Sequence, residues 1–269
     1  MTETLETTKD ADSILFRTGD PDFMNSLARG VAVLQAFSDT TTGLKMSHIS
    51  VRTGLSRAVV RRCLYTLEQL GYVRQNADGY YLKPKILSLS QTYFSSSSLT
   101  SQAQEFLDRV KEATGESCSL AVLDEDEVVY VARSAAQKIM TVSLGIGSRL
   151  PAYCTSLGRI LLAALPPKEL ANLLGKTNRL KHTQFTKTSL RDLNGAISIA
   201  RDKGFALTDQ ELEVGLRSIA VPLRNQEQKV VAAINVGVQA ASVNKRKMTT
   251  EILPVLESAA TGLGSQLIC

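Results

Sequence analysis

Residues 47–81, SHISVRTGLSRAVVRRCLYTLEQLGYVRQNADGYY, constrain this chain more than any other stretch. Their apolar spacing predicts a short helix, a turn at Gly54, a second helix and then a hairpin. Ser47 can cap the first helix by accepting an orphan backbone N–H, and Ser56 can cap the second. Gly54 supplies the permissive backbone of a tight helix-to-helix turn, and Gly71 that of a left-handed helix end. On the second helix Val60, Cys63, Leu64, Leu67 and Leu70 share one side, and Arg57, Ala58, Arg61, Arg62 and Tyr65 share the other. An apolar back fixes such a helix to its own domain. Guanidinium forks on the front suit guanine edges or phosphates in a major groove. Segments 72–74 and 80–82 flank residues 75–79, where Asp78-Gly79 signals a hairpin. A helix-turn-helix followed by a hairpin is a winged helix, with Arg74 and the wing tip facing the nucleic-acid backbone. The competing reading is an ordinary helical hairpin with a solvated arginine face.

The charge distribution favours DNA. Net charge is +5, but residues 1–22 carry two basic and six acidic groups, and residues 23–85 carry nine basic and three acidic. The basic density therefore sits on the helix-turn-helix. A length of 269 residues with 43% hydrophobic content allows two modest domains with real cores. Cys63, Cys118, Cys154 and Cys269 are scattered without a CxxC pair, and His48 and His182 are the sole histidines. This pattern predicts reduced thiols in a cytoplasmic protein, with no disulfide frame and no metal site. No apolar run is long enough for a membrane, and the acidic start is unlike a signal peptide.

In order, the chain reads as a flexible acidic tail over 1–22, a winged helix-turn-helix over 23–85, a linker helix over 86–100 and a second domain over 101–269. Asn25 or Ser26 should cap a first helix whose Leu27, Val31, Leu34 and Phe37 line one face. Leu44 and Met46 should form a small strand beside the wing. An apolar connector of this kind marks a dimer contact or packs within one chain, with little to separate the two. The second domain shows strands at 117–123, 128–132 and 139–144, a loop at 145–151 and a helix at about 155–164. Helices at 168–174 and 190–203, a strand at 205–208, a hairpin at 218–236 and a closing helix at about 249–267 follow. Hairpins mixed with helices predict α+β with an antiparallel sheet.

The loop at 145–158 lacks the lysine of a phosphate loop and the dinucleotide fingerprint. A helix starting near Ser156 instead aims free N–H groups into it, a natural carboxylate site. Arg149 can add charge, or face solvent; Leu144, Leu150 and Tyr153 supply apolar walls. The carboxylates of residues 209–213 have no nucleophile, metal triad or histidine beside them. They read as groups bonded within the fold, Arg217 being one partner, rather than as catalysts. Asn235, in a strand of small and apolar residues, needs a polar partner, and Ser218 begins the neighbouring strand.

Several stretches together make the chain resemble IclR-family transcriptional regulators, from Leu27 to the C-terminus. In the first half these are Leu27-Ala28-Arg29-Gly30, Thr53-Gly54-Leu55-Ser56-Arg57, Arg62-Cys63-Leu64 and Leu70-Gly71-Tyr72. In the second they are Leu150-Pro151-Ala152, Ser156-Leu157-Gly158-Arg159, Asp209-Gln210-Glu211, Gly215-Leu216-Arg217-Ser218 and Ala233-Ile234-Asn235-Val236. The wording RLPAYCTSLGRILLA is especially similar to the branch controlling protocatechuate and p-hydroxybenzoate catabolism. The resemblance implies a winged helix, a linker helix and a GAF-like effector domain, in homodimers or homotetramers. It implies double-stranded operator DNA as partner, a small organic acid as effector, no cofactor and no catalysis. The branch is mostly activators, which implies contact with RNA polymerase. Carried onto matching positions, Val142 and Leu150 would wall the pocket, the Ser156 and Leu157 N–H groups would bind the carboxylate, and Asp209, Ser218, Asn235 and Gly237 would form the polar end. Asn235 and Gly237 stand where some members carry serine, and Ser218 where some carry cysteine. The ligand should therefore differ from the glyoxylate or pyruvate of those members, and the branch implies an aromatic acid. Two rivals stay open: an enzyme using Cys154 or the acidic run, and a DNA-binding protein blind to ligands.

Overall fold

The computed structural model describes residues 20–38, 42–96, 98–136 and 144–267. Contacts divide the chain into Met1–Tyr93 and Phe94–Cys269. The boundary falls inside the segment expected to link the domains. Of the expected acidic tail, only residues 20–22 are among those described.

The first unit holds α1 (Asn25–Gln35), α2 (Met46–Thr53), α3 (Arg57–Gln69) and the hairpin β1 (Val73–Asn76) and β2 (Gly79–Leu82). Its core gathers Val33, Phe37, Ile49, Leu55, Val60, Leu64, Leu67 and Val73. Gly54 turns the chain from α2 to α3 at φ 68°. Gly71 closes α3 in a Schellman arrangement, with its own N–H on Glu68 and that of Tyr72 on Leu67.

Several local expectations need correction. The expected face of α1 is half right: Phe37 is buried and Leu34 packs against the core, whereas Leu27 and Val31 are exposed and Val33 and Ala36 are buried in their place. Leu70 is 51% exposed, because it sits at the end of α3 beyond the core. Neither Asn25 nor Ser26 caps α1, whose N-cap is Met24, and Ser47 does not cap α2, whose N-cap is Lys45. Leu44 exchanges both backbone hydrogen bonds with Tyr80, at 2.9 and 3.0 Å. The helix starts at once after that bridge, so Met46 is helical instead of extended. The two-residue turn of the wing is Ala77-Asp78, and Gly79 opens β2 against the backbone of Gly43 and Leu44.

After α4 (Leu87–Ser96) and α5 (Ser98–Thr114), the second unit is a six-stranded antiparallel sheet ordered β5-β4-β3-β8-β7-β6. The strands are β3 (Ser117–Asp124), β4 (Glu127–Ser134), β5 (Arg149–Pro151), β6 (Ala206–Asp209), β7 (Leu216–Arg224) and β8 (Val230–Gln239). Three helices follow β5: α6 (Ser156–Ala164), α7 (Pro167–Lys176) and α8 (Leu190–Lys203); α9 (Leu253–Gln266) closes the unit. Residues 149–151, expected as loop, pair with β4 as an edge strand. Of the strand expected at 139–144, only Leu144 is among the described residues, and it is not extended into the sheet.

Alternation along the strands sorts two faces. Ile219, Val221, Ile234 and Val236 turn to α5 and α9, whereas Ala220, Ala233 and Ala121 turn to α6 and α8. The alanines let α6 lie close to the sheet. Gly158 lets α6 fold back on the turn that precedes it, since a Cβ there would meet the Ala152 carbonyl oxygen at 2.1 Å. One irregularity matters. Leu120 pairs with Ala132 but Ala121 pairs with Tyr130, which leaves Val131 as the extra residue of a β-bulge. Beyond the bulge the phase of β4 inverts, so Tyr130 and Arg133 both turn to the α6 side.

Candidate functional site

The first candidate surface is α3. Ser56 accepts the Val59 N–H at 3.4 Å and starts the helix. Its outer face presents Arg57, Ala58, Arg61, Arg62 and Tyr65, all exposed. Among the described residues none of these three arginines is hydrogen-bonded or ion-paired within the protein. Arg52 differs, because its guanidinium holds the carbonyls of Ala36 and Ser38 at 2.8 and 2.9 Å. Arg74 lies 5.0 Å from the Tyr81 ring and bonds Asn76, which stiffens the wing. Three free guanidinium groups on one rigid helix form a surface for a polyanion.

The second site is a cavity of about 270 Å³ over the α6 face of the sheet. That is close to the low end of ligand pockets, ~300–1,000 Å³, and suits a single ring better than a dinucleotide. The sheet register builds its floor as two rows. Arg133 pairs with Ser119 and Ser119 with Asn235 in one row. Ser117 pairs with Gly237, Gly237 with Ser218 and Ser218 with Thr208 in the next. Leu144, Leu150, Tyr130 and Leu216 supply apolar walls, and residues 211–215 cover one side.

The polar groups fall into two sets. Arg133 Nη1 donates to Ser119 Oγ at 3.0 Å, while its Nε is buried without a partner. No carboxylate among the described residues pairs with it. Asn235 is 8% exposed and its Oδ1 is unsatisfied. Across β8 and β7, Ser218 Oγ lies 2.7 Å from Ser156 Oγ and 3.0 Å from Thr208 Oγ1. Beneath the covering loop, Arg159 Nη1 donates to Glu211 Oε1 at 2.7 Å and Nη2 donates to Oε2; Lys187 Nζ reaches Oε1 at 3.0 Å.

Leu144, Leu150, Ser218, Asn235 and Gly237 thus line one cavity. Three other expected side chains do not. Arg149 stands outside, its guanidinium divided between Glu127 at 2.6 Å and Asp124 at 2.7 Å, because β5 turns it to the acidic hairpin. Tyr153 is buried behind the wall, with its hydroxyl on the Leu180 carbonyl at 2.5 Å. Asp209 is drawn to the far end of β6 by Arg217 at 2.9 Å and Lys245 at 2.8 Å. Ser156 and Leu157, expected to act through their backbone N–H groups, open α6; the Leu157 side chain packs into the core and Ser156 Oγ meets Ser218 Oγ. Val142 lies outside the described residues. The residues that sequence reasoning missed are Arg133, Ser119, Thr208 and Glu211. Thr208 was recoverable as the cross-strand partner of Ser218, but Arg133 was hidden by the bulge.

Nucleophilic chemistry has no support in the cavity wall. Burial, reinforced by the Glu211 charge, pushes the Cys154 thiol up to about 12, so it is protonated near neutral pH. Among the described residues no cluster of His, Cys, Asp or Glu is placed to hold a metal ion, and no helix is long and apolar enough to cross a membrane.

Comparison with known proteins agrees with both units. Residues 26–77 match the IclR helix-turn-helix domain, and residues 91–264 match the bacterial transcriptional regulator IclR C-terminal domain. The Pca regulon regulatory protein of Pseudomonas putida is 44% identical over 93% of this chain and 86% of its own length. The p-hydroxybenzoate hydroxylase transcriptional activator of Acinetobacter baylyi is 33% identical over 90% of this chain and 91% of its own. Among solved structures, a double mutant of the PobR inducer-binding domain from Acinetobacter, in complex with 3-hydroxybenzoic acid, superimposes with a TM-score of 0.60. It is 32% identical and covers 64% of this chain and all of that one. These proteins are regulators of transcription and not enzymes, and the chain belongs to the IclR family of bacterial transcriptional regulators.

Proposed function

We propose that this regulator controls genes of aromatic-acid catabolism and is gated by a small aromatic carboxylate, such as protocatechuate or p-hydroxybenzoate, in the cavity of its second unit. The observation that carries the reading is Arg133: a guanidinium with no carboxylate partner among the described residues, at the edge of a ring-sized space with both apolar walls and polar groups. Arg133 is half-buried with its Nε buried and unpartnered, so an incoming anion can complete its hydrogen bonding. The similarity to the Pca and p-hydroxybenzoate regulators and the hydroxybenzoate bound in the PobR relative support the same ligand class.

On the DNA side, Arg57, Arg61 and Arg62 meet the operator, with Ser47, Ser56, Ala58, Tyr65 and Arg74 around them. A palindromic operator is read by paired helices, so the working form is a homodimer or homotetramer. Ligand binding biases the spacing of those helices, and activation proceeds through RNA polymerase in the cytoplasm. The domain limits that serve this reading are 23–85 for DNA, 86–100 for the connection and 101–269 for the effector.

Two measurements test it. Association with the duplex upstream of the gene should weaken steeply as salt rises. A thermal-shift panel of aromatic and aliphatic carboxylates should raise the melting temperature for hydroxybenzoates first. Salt-insensitive or absent duplex binding defeats the regulator reading; a response confined to aliphatic acids defeats the ligand class.

A further inference from the structure

We propose that Arg133, with Asn235 and Ser119, is the carboxylate subsite of the cavity, and that Gly237 beneath the ligand sets its preference for a flat ring. This assignment rests on the reading of the cavity as an aromatic-acid site and adds the ligand's polarity within it.

The two ends of the cavity are chemically unequal. At one end, a guanidinium with five N–H donors has a single acceptor, Ser119 Oγ at 3.0 Å. The bulge at Val131 is what turns this side chain to the cavity and away from the apolar face of the sheet. Asn235 is the next residue but one along the same row, nine-tenths buried, and its Oδ1 has no hydrogen-bond partner among the described residues. A planar fork and an amide side by side suit the two oxygens of a carboxylate.

The opposite end suits a neutral hydroxyl. Ser156, Ser218 and Thr208 share two contacts between three hydroxyls, which leaves lone pairs and one proton for a ligand group. The first turn of α6 is partly taken up, since Thr155 Oγ1 already accepts the Gly158 N–H at 3.2 Å. From the guanidinium, poised over β3, to Ser218 on β7 is two strand spacings, ~10 Å. One benzene ring with a carboxylate and a para or meta hydroxyl spans that gap with a hydrogen bond at each end.

Gly237 lies between the ends. A Cβ built there would meet nothing nearer than Leu216 Cδ1 at 3.9 Å, so the fold itself does not demand glycine. Its missing side chain leaves the centre of the floor bare, where the face of a ring can lie.

The test is calorimetric titration of the full-length protein with 4-hydroxybenzoate and its neutral isostere 4-hydroxybenzamide. The wild type should prefer the acid by about 10- to 100-fold. Arg133→Gln should lower acid binding to the level of the amide and leave amide binding unchanged. Arg133→Lys, which keeps the charge but loses the fork, should fall between and decides the matter if the glutamine variant fails to fold. Gly237→Ala should keep the unliganded melting temperature and lose about tenfold toward both probes. A charge preference that survives at position 133 in a folded variant overturns the subsite, as does equal loss of acid and amide. Unaltered affinity in Gly237→Ala overturns the role of the glycine. Failure of the wild type to bind either probe removes the ligand class itself, and the subsite with it.

Discussion

The buried pair beneath the cavity allows a worked prediction. Arg159 and Glu211 are each 3% exposed, joined by two hydrogen bonds, with Lys187 as the outer member. Glu211→Gln preserves volume but leaves a guanidinium in the interior without a counter-charge. Breaking one side of such a pair costs about 3–5 kcal/mol. At roughly 2–4 °C per kcal/mol for a unit of this size, the melting temperature should drop by about 6–20 °C. The double variant Arg159→Met/Glu211→Leu removes both charges and fills the space, so it should recover most of the loss. A double-mutant cycle built from Arg159→Met, Glu211→Leu and the double variant, read by calorimetry of the full-length chain, should therefore give a coupling of about 2 kcal/mol or more. A loss under about 1 kcal/mol in the single variant, or simple additivity, would refute the claim that the two charges depend on each other.

Other tests address separate parts of the molecule. Arg61→Ala should weaken operator binding by ~1–3 kcal/mol with relaxed sequence preference if the residue reads a base; uniform weakening with a shallower salt slope would demote it to a phosphate contact. Gly158→Ala should unfold the second unit or lower its melting temperature sharply, since the Ala152 backbone occupies the space; wild-type stability would show that α6 can lift away. Burial pushes the Asp209 carboxyl up, but Lys245 and Arg217 outweigh it and hold it below the usual range. Its contribution is therefore full above the unfolded carboxylate value and lost as pH falls through the folded one. Lys245→Met should be less stable than the wild type at pH 7 and converge with it in acid; a gap that ignores pH would exclude the link.

Much of the first unit was legible because its signals are local. The turn glycines Gly54 and Gly71, the Ser56 cap and the two faces of α3 all act within a few residues of themselves. The start of α1 was not legible: Leu27 and Val31 have helical spacing with Leu34 and Phe37, but only the latter two reach the core that α2 and α3 form. In the second unit the strands of both hairpins could be located, and Ser218, Asn235 and Gly237 could be paired from them. Arg149, left open between pocket and solvent, is taken by Asp124 and Glu127; Asp209 has the Arg217 partner that the sequence suggested and also Lys245, and these hold it away from the cavity. The Arg217 pairing was within reach because both residues lie near the same turn, whereas the partners of Arg149 lie more than twenty residues away in sequence. Arg133 was missed because alternation places it on the opposite face.

That one supernumerary residue at Val131 divides β4 into two segments of contrary parity sharing a backbone. Even positions look into the chamber before it, odd positions after it. Removing Val131 would leave the first segment in place while exchanging Arg133 for its neighbours, so the chamber would lose its cation though no charged residue had been altered. In a lineage of such regulators, an insertion or deletion at this point could retune which metabolite is sensed in a single genetic event.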